Sequence, residues 1–220
     1  APWRCGVNLP LTLPPDARTV PVTCPESLSL FPLHTVLLPG APLGLRVFER
    51  RYLDLVAECG RNGRGFGICM ILEGEEVGAP ATPAAFGVEA RIEDFGNDRN
   101  GLLTLQVRGQ RRFRVARSRA RDSGLLVGDV LWCEDAGTPS LLPQHAALAT
   151  LLGELLDKVG GEYPGLGHAG ANLRQLEDAA WVGWRLAELL PLSDEQRLAL
   201  LQQDDPHRRL DRLLEWMDEE

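Results

Sequence analysis

Between Leu30 and Gly60 the sequence changes character once, and that change limits what the chain can become. Pro32, Pro39, Gly40, Pro42 and Gly44 interrupt its first half. Proline lacks the amide proton a helix needs and glycine is too free to hold one, so this half is extended. Then Phe48, Tyr52, Leu55, Val56 and Cys59 recur at helical period. The spacing predicts one amphipathic helix with this apolar stripe, ended by a left-handed cap at Gly60. Arg50 and Asp54, four residues apart, belong to its wet side. A helix this short is marginal alone, so its stripe has to pack on neighbouring strands.

Those strands are legible on both sides. Ser27 to Leu38 reads as one or two short strands. Gly65 to Leu72, GFGICMIL, is a continuous apolar run and hence a buried strand. Glu73 to Ala85 reads as an acidic loop with Gly and Pro. Val88, Ala90 and Ile92 then alternate onto one face, and Gly96 to Gly101 is a hairpin signal. Leu103, Leu105 and Val107 alternate, Gly109 turns, Phe113 and Val115 continue, and Leu125 to Trp132 is the last strand. Short antiparallel connections around one helix predict a small β-barrel.

Past Gly137-Thr138-Pro139 the period becomes helical. Leu148, Leu151, Leu152, Leu155, Leu156 and Val159 form a stripe, and a glycine-rich loop runs from Gly160 to Gly170. Asn172 with Gln175 can cap a helix that continues through Trp181 and Trp184 to Leu190. Ser193 with Gln196 is a second capping pair, and Asp205 before Pro206 is an N-cap with proline at the first helical position. The expected class is therefore α+β. Residues 1–26 read as a flexible proline-rich leader, 27–137 as a small antiparallel barrel with one packed helix, and 138–220 as a four-helix, bundle-like part.

Several stretches also resemble a known family. Phe31-Pro32-Leu33, Val36 to Gly40, Pro42-Leu43, Leu45 to Glu49 and Arg51-Tyr52 look like the opening signature of the Lon protease N-terminal domain. Ala90 to Phe95, Val107-Arg108-Gly109 and Arg111 to Val115 sit where that family has its strand motifs. Ala187 to Leu192, Leu200-Leu201 and Asp205-Pro206 resemble its tail. The resemblance implies a PUA-like barrel and a substrate-recognition role toward unfolded or extended polypeptide segments, with a protease or another protein as a further partner. It is to a stand-alone bacterial member without the ATPase and Ser–Lys peptidase modules of full Lon proteases.

The sequence offers little chemistry of its own. A P-loop needs lysine followed by Ser or Thr, and the sole lysine, Lys158, precedes Val159. It has no serine within a helical turn to form a Ser–Lys dyad. His34, His145, His168 and His207 show no metal-ligand spacing, so neither metal nor cofactor is expected, and no catalytic residue is assigned. Five cysteines (Cys5, Cys24, Cys59, Cys69 and Cys133) without a C-x-x-C pattern read as reduced thiols in a cytoplasmic protein. A net charge of −8 argues against bulk affinity for nucleic acid or anionic membrane.

Arg64-Gly65-Phe66-Gly67 copies the start of an RNA-stacking motif, but Ile68 replaces the next ring, and a glycine turn into a core strand explains it. Arg108, Arg111, Arg112, Arg114, Arg117, Arg119 and Arg121 form a basic run. A solvated strand face accounts for it, and RNA binding is the rival reading. A hydrolase with an unrecognised site is the other rival; a clustered His–Asp or Cys–His pair in a pocket would favour it. The leading expectation is a non-catalytic polypeptide-binding module with a groove between barrel and helices. Arg46, Glu49, Arg51 and Tyr52 are the candidates for its polar lining, and Trp181 and Trp184 for its apolar wall.

Overall fold

In the computed structural model, residues 25–78, 81–133, 139–159 and 173–218 are described. The leader up to residue 24, with Cys5 and Cys24, lies outside them. So do the boundary around Gly137, the Gly160–Gly170 loop with His168, and the Asn172 cap.

Six strands build one sheet: β1 (Glu26–Leu33), β2 (Pro42–Val47), β3 (Phe66–Glu73), β4 (Thr82–Asn97), β5 (Leu103–Ala120) and β6 (Leu126–Trp132). Their order is β2-β5-β4-β3-β1-β6, and β6 also pairs with β5, which closes the barrel. The long β5 makes this possible. Leu103 to Arg108 hold β2, and Phe113 to Ala120 hold β6. Register shifts in β4 and β5 mark the bulges that let such long strands curl. The sheet is antiparallel except at one seam, where β1 and β3 run parallel. The expectation of purely antiparallel pairing misses this seam because the connection from β1 to β3 contains β2 and the helix α1 (Arg50–Asn62), enough chain for a crossover.

α1 packs as its stripe demands, with Tyr52, Leu55 and Cys59 buried. The Phe31 and Tyr52 rings stack with centroids 3.9 Å apart. Both ends differ from the sequence reading. Phe48 precedes the helix and is 54% exposed. Gly60 is helical, and the left-handed cap is Gly63 at φ 63°. The helix runs on through Gly60, Arg61 and Asn62, exposed residues that carry no apolar stripe, so the stripe ends before the helix does. Gly109 likewise does not turn. It lies within β5, where a Cβ would come 2.1 Å from the Leu38 carbonyl oxygen, so only glycine lets the 34–41 segment pack this closely. That segment is irregular yet buried at Val36, Leu37 and Leu38. β4 begins at Thr82, inside the expected acidic loop.

The helical part comprises α2 (Ala146–Val159), α3 (Leu173–Leu176), α4 (Ala179–Leu189), α5 (Asp194–Leu201) and α6 (Pro206–Asp218). The expected long helix through the tryptophans is broken at Asp178. Its carboxylate accepts the amides of Ala180 and Trp181 and starts α4 afresh. The Ser193–Gln196 capping box forms in full, and Asp205 accepts the His207 amide at 2.9 Å. One apolar cluster runs from barrel residues such as Phe66, Val88 and Val107 to Leu148, Leu186 and Leu210 of the helices. A smaller cluster of Leu30, Cys69, Phe113, Leu126 and Val130 fills the rest of the barrel.

The two parts meet over buried arginines. Arg112 Nη1 donates to the Leu201 carbonyl at 2.7 Å, and its Nη2 reaches Asp204 at 3.2 Å. Arg209 donates to the Gln203 carbonyl at 2.7 Å, and its guanidinium lies 4.1 Å from the Trp184 ring centre. On the other side of the joint Arg185 donates to the Pro39 carbonyl and pairs with Glu188. Burial lowers the pKa of Arg185 and raises that of Glu188, each partly offset by the partner's charge.

Candidate functional site

The end of β1, β2, the first turn of α1 and the 74–78 loop enclose a cleft of about 430 Å³. Such a volume falls in the usual range for binding clefts, about 300–1,000 Å³. Phe31, Leu33, Leu43, Leu45 and Val47 supply its apolar floor, while Phe48 and Val77, both more than half exposed, stand at its mouth. β2 pairs only with β5 among the described strands, so the outer edge of β2 carries unpaired backbone groups alongside this cleft.

Arg46, Glu49 and Tyr52 line the cleft, and Arg51 does not. Arg46 is exposed, with no partner among the described residues. Glu49 occupies the N-cap position of α1 without capping it and pairs instead with Arg51 at 3.1 Å. Arg51 turns inward. It donates to the Gly124 carbonyl at 3.0 Å and the Glu76 carbonyl at 3.3 Å, and lies 4.6 Å from the Tyr52 ring centre. It thereby fixes the start of α1 to the β5–β6 turn and to the 74–78 loop. The His34 amide donates to Glu76 at 2.7 Å and holds the same loop from the other side. Burial raises the Tyr52 pKa, with the Arg51 charge opposing, so the ring presents a neutral phenol.

The tryptophans are elsewhere. Trp184 is buried at the barrel–helix joint beneath Arg209, and Trp181 is half-buried against the core. Neither lines the cleft. The anticipated groove between barrel and helices is filled at this point by arginine hydrogen bonds, and the cleft lies on the barrel alone, with Thr35 at its border bonded to Asp194 of α5. An i, i+3 tryptophan pair signals burial without saying whether by core or ligand.

The model of the ATP-dependent protease La (LON) substrate-binding domain matches residues 27–219. The chain belongs to that family. Among solved structures, a Lon N-terminal domain protein from Xanthomonas campestris is 57% identical, with a TM-score of 0.73 over 87% of this chain and 98% of that one. The N-terminal domain of Mycobacterium avium complex Lon protease shares the fold at 20% identity, with a TM-score of 0.62 over 88% of this chain and 98% of that one. No curated protein matches.

Elsewhere in this Lon-family domain, His145, Cys59 and Cys69 serve packing. His145 is wholly buried, its Nε2 2.7 Å from Asp211 Oδ1, and its ring stacks on His207 at 5.9 Å. This is a His–Asp pair, but neither residue lines the cleft beside β2. It ties the 3-10 turn before α2 to α6. The hydrogen bond from His145 holds the Asp211 carboxyl below its usual range. Burial drives the Cys69 thiol up to about 12 and Cys59 to about 11, so both stay protonated and unreactive. Among the described residues, no three His, Cys, Asp or Glu gather as metal ligands. No helix among them is long and apolar enough to cross a membrane.

The basic run is not the uniform solvated face that its charges suggest. Arg112 is buried, because its bulged strand turns it toward α5. Arg108 pairs with Glu93, Arg111 with Glu89 and Arg119 with Asp129, which leaves Arg114, Arg117 and Arg121 exposed. Phe66, the ring of the RNA-like motif, is wholly buried and offers no face to a base.

Proposed function

We propose that the chain is a non-catalytic module that holds unfolded or extended polypeptide segments in the cleft beside β2. What carries this reading is one juxtaposition: the unpaired edge of β2 runs beside an apolar trough with Phe48 exposed at its mouth. An extended segment can pair its backbone with a strand edge while alternate side chains enter the trough. Arg46 and Glu49 at the rim offer one charge of each sign, which suits varied sequences. Arg51 and Glu76 act by positioning the first turn of α1. Membership of a family named for substrate binding supports the same reading.

The test is binding of a reduced, alkylated model protein that cannot fold, followed by calorimetry. Phe48→Ala and Arg46→Ala are surface changes that leave the fold intact. Together they should weaken binding by about tenfold or more, since a central aromatic anchor dominates such contacts. Wild-type affinity in the double variant would remove the cleft from consideration. Cleavage of casein by the purified chain, with or without ATP, would refute the non-catalytic part.

A further inference from the structure

α1 separates two surfaces. Its first turn borders the cleft above, and its last turns border a second depression of about 450 Å³ lined by Val56, Cys59, Ile92, Phe95 and Leu103. A third depression, of about 490 Å³, lies over Ser27, Gln110, Arg111 and Trp132. Gly63, Arg64 and Arg91 belong to the lining of both, so the two join into one trough, apolar at one end and polar at the other.

Its charges are unevenly matched. Glu93 is paired with Arg108, and Glu89 with Arg111, whose guanidinium also covers Trp132 at 3.9 Å. Arg64 and Arg91, at the seam, are exposed and have no partner among the described residues. Glu26, the first residue of β1, is the remaining carboxylate of the lining and stands at the polar end. A net positive seam therefore sits on a chain of net charge −8. Beside it Phe95 is 73% exposed. One exposed ring means little by itself, but this one overhangs an apolar depression.

We propose that this trough is a second polypeptide-binding surface, selective for extended segments in which acidic residues neighbour bulky apolar ones. The apolar side chain enters between Phe95 and Val56, and the carboxylates meet Arg64 and Arg91, where a guanidinium can bind them with two parallel hydrogen bonds. Nucleic acid fits less well. Phe66 is buried and Trp132 is covered, so Phe95 is the one open ring of the lining, and a phosphate backbone is held by a longer row of free cations.

A fluorescein-labelled peptide of alternating aspartate and phenylalanine, titrated with the whole chain and read by anisotropy, tests this. Binding is expected, with about tenfold weakening in Arg64→Ala/Arg91→Ala and a comparable loss in Phe95→Ser. All three positions are exposed, and circular dichroism of the variants checks that the fold is kept. Arg114→Ala, exposed and outside the lining, should leave this affinity unchanged. The proposal is overturned if the peptide does not bind, if the arginine variant binds it equally, or if a lysine-for-aspartate peptide binds as tightly. It is also overturned if single-stranded polyuridine displaces the peptide with higher affinity. Loss of peptide binding in Phe48→Ala alone would move the event to the cleft beside β2, ending this proposal while leaving the first one standing.

Discussion

The barrel interior and the joint to the helices are both buried, but they are held by different forces. Inside the barrel, Leu30, Phe113 and Val130 meet as apolar side chains, each contributing about 1.5–3 kcal/mol through removal from water. At the joint, Arg112 and Arg209 reach backbone carbonyls at the end of α5 and in the turn before α6. Apolar burial is non-directional and fills space. A guanidinium aimed at two carbonyls is directional and sets one docking angle. The difference teaches where each half takes its definition: the barrel from volume, the placement of α5 and α6 from hydrogen bonds.

Phe113→Ala should produce the largest effect, a loss of about 3–5 kcal/mol in urea unfolding, because the ring is wholly buried and leaves a cavity. Arg112→Ala should cost less, about 2–3 kcal/mol, since it strands the buried Leu201 carbonyl while the exposed Asp204 simply returns to water. Its pattern matters more than its size. Hydrogen exchange should quicken in α5 and α6 and stay slow in β3 and β4; uniform quickening would erase the distinction between core and joint.

The smallest effect should come from acid. The Asp211 carboxyl is held below its usual range by the His145 hydrogen bond. A carboxylate with a lowered folded pKa stabilises the fold above its unfolded value and loses that contribution as pH falls through the folded one. Urea midpoints should therefore drop below about pH 4, and Asp211→Asn should flatten that part of the profile. An unchanged acid profile in this variant would assign the pair no part in stability.

Much of the barrel was legible because its strands alternate and its turns carry glycine and asparagine. The hairpin at Asp98, the Ser193–Gln196 box and the Asp205 cap formed as read, since each depends on residues within a few positions of one another. What escaped depends on distant partners. Arg112 sits in a run of arginines and looks solvated until α5 supplies carbonyls 89 residues away. Gly109 looks like a turn until the Leu38 carbonyl presses on it. For the site, Arg46, Glu49 and Tyr52 share one cleft because strand and helix periods bring them there. Arg51 points inward, as only the positions of Gly124 and Glu76 reveal, and the tryptophans belong to the joint. Arg64, in the turn after α1, and Arg91, in β4, are not legible as a pair, because only the pairing of β3 with β4 brings them together.

Glu26 in the first strand pairs with Val130 in the last. During synthesis β1 therefore waits, with one side open, until more than a hundred further residues have left the ribosome. Contacts that span so much chain slow folding and lengthen the exposure of unfinished intermediates. A ribosome-stalled chain ending before Leu126 should lack the closing stave and be the form most dependent on chaperones.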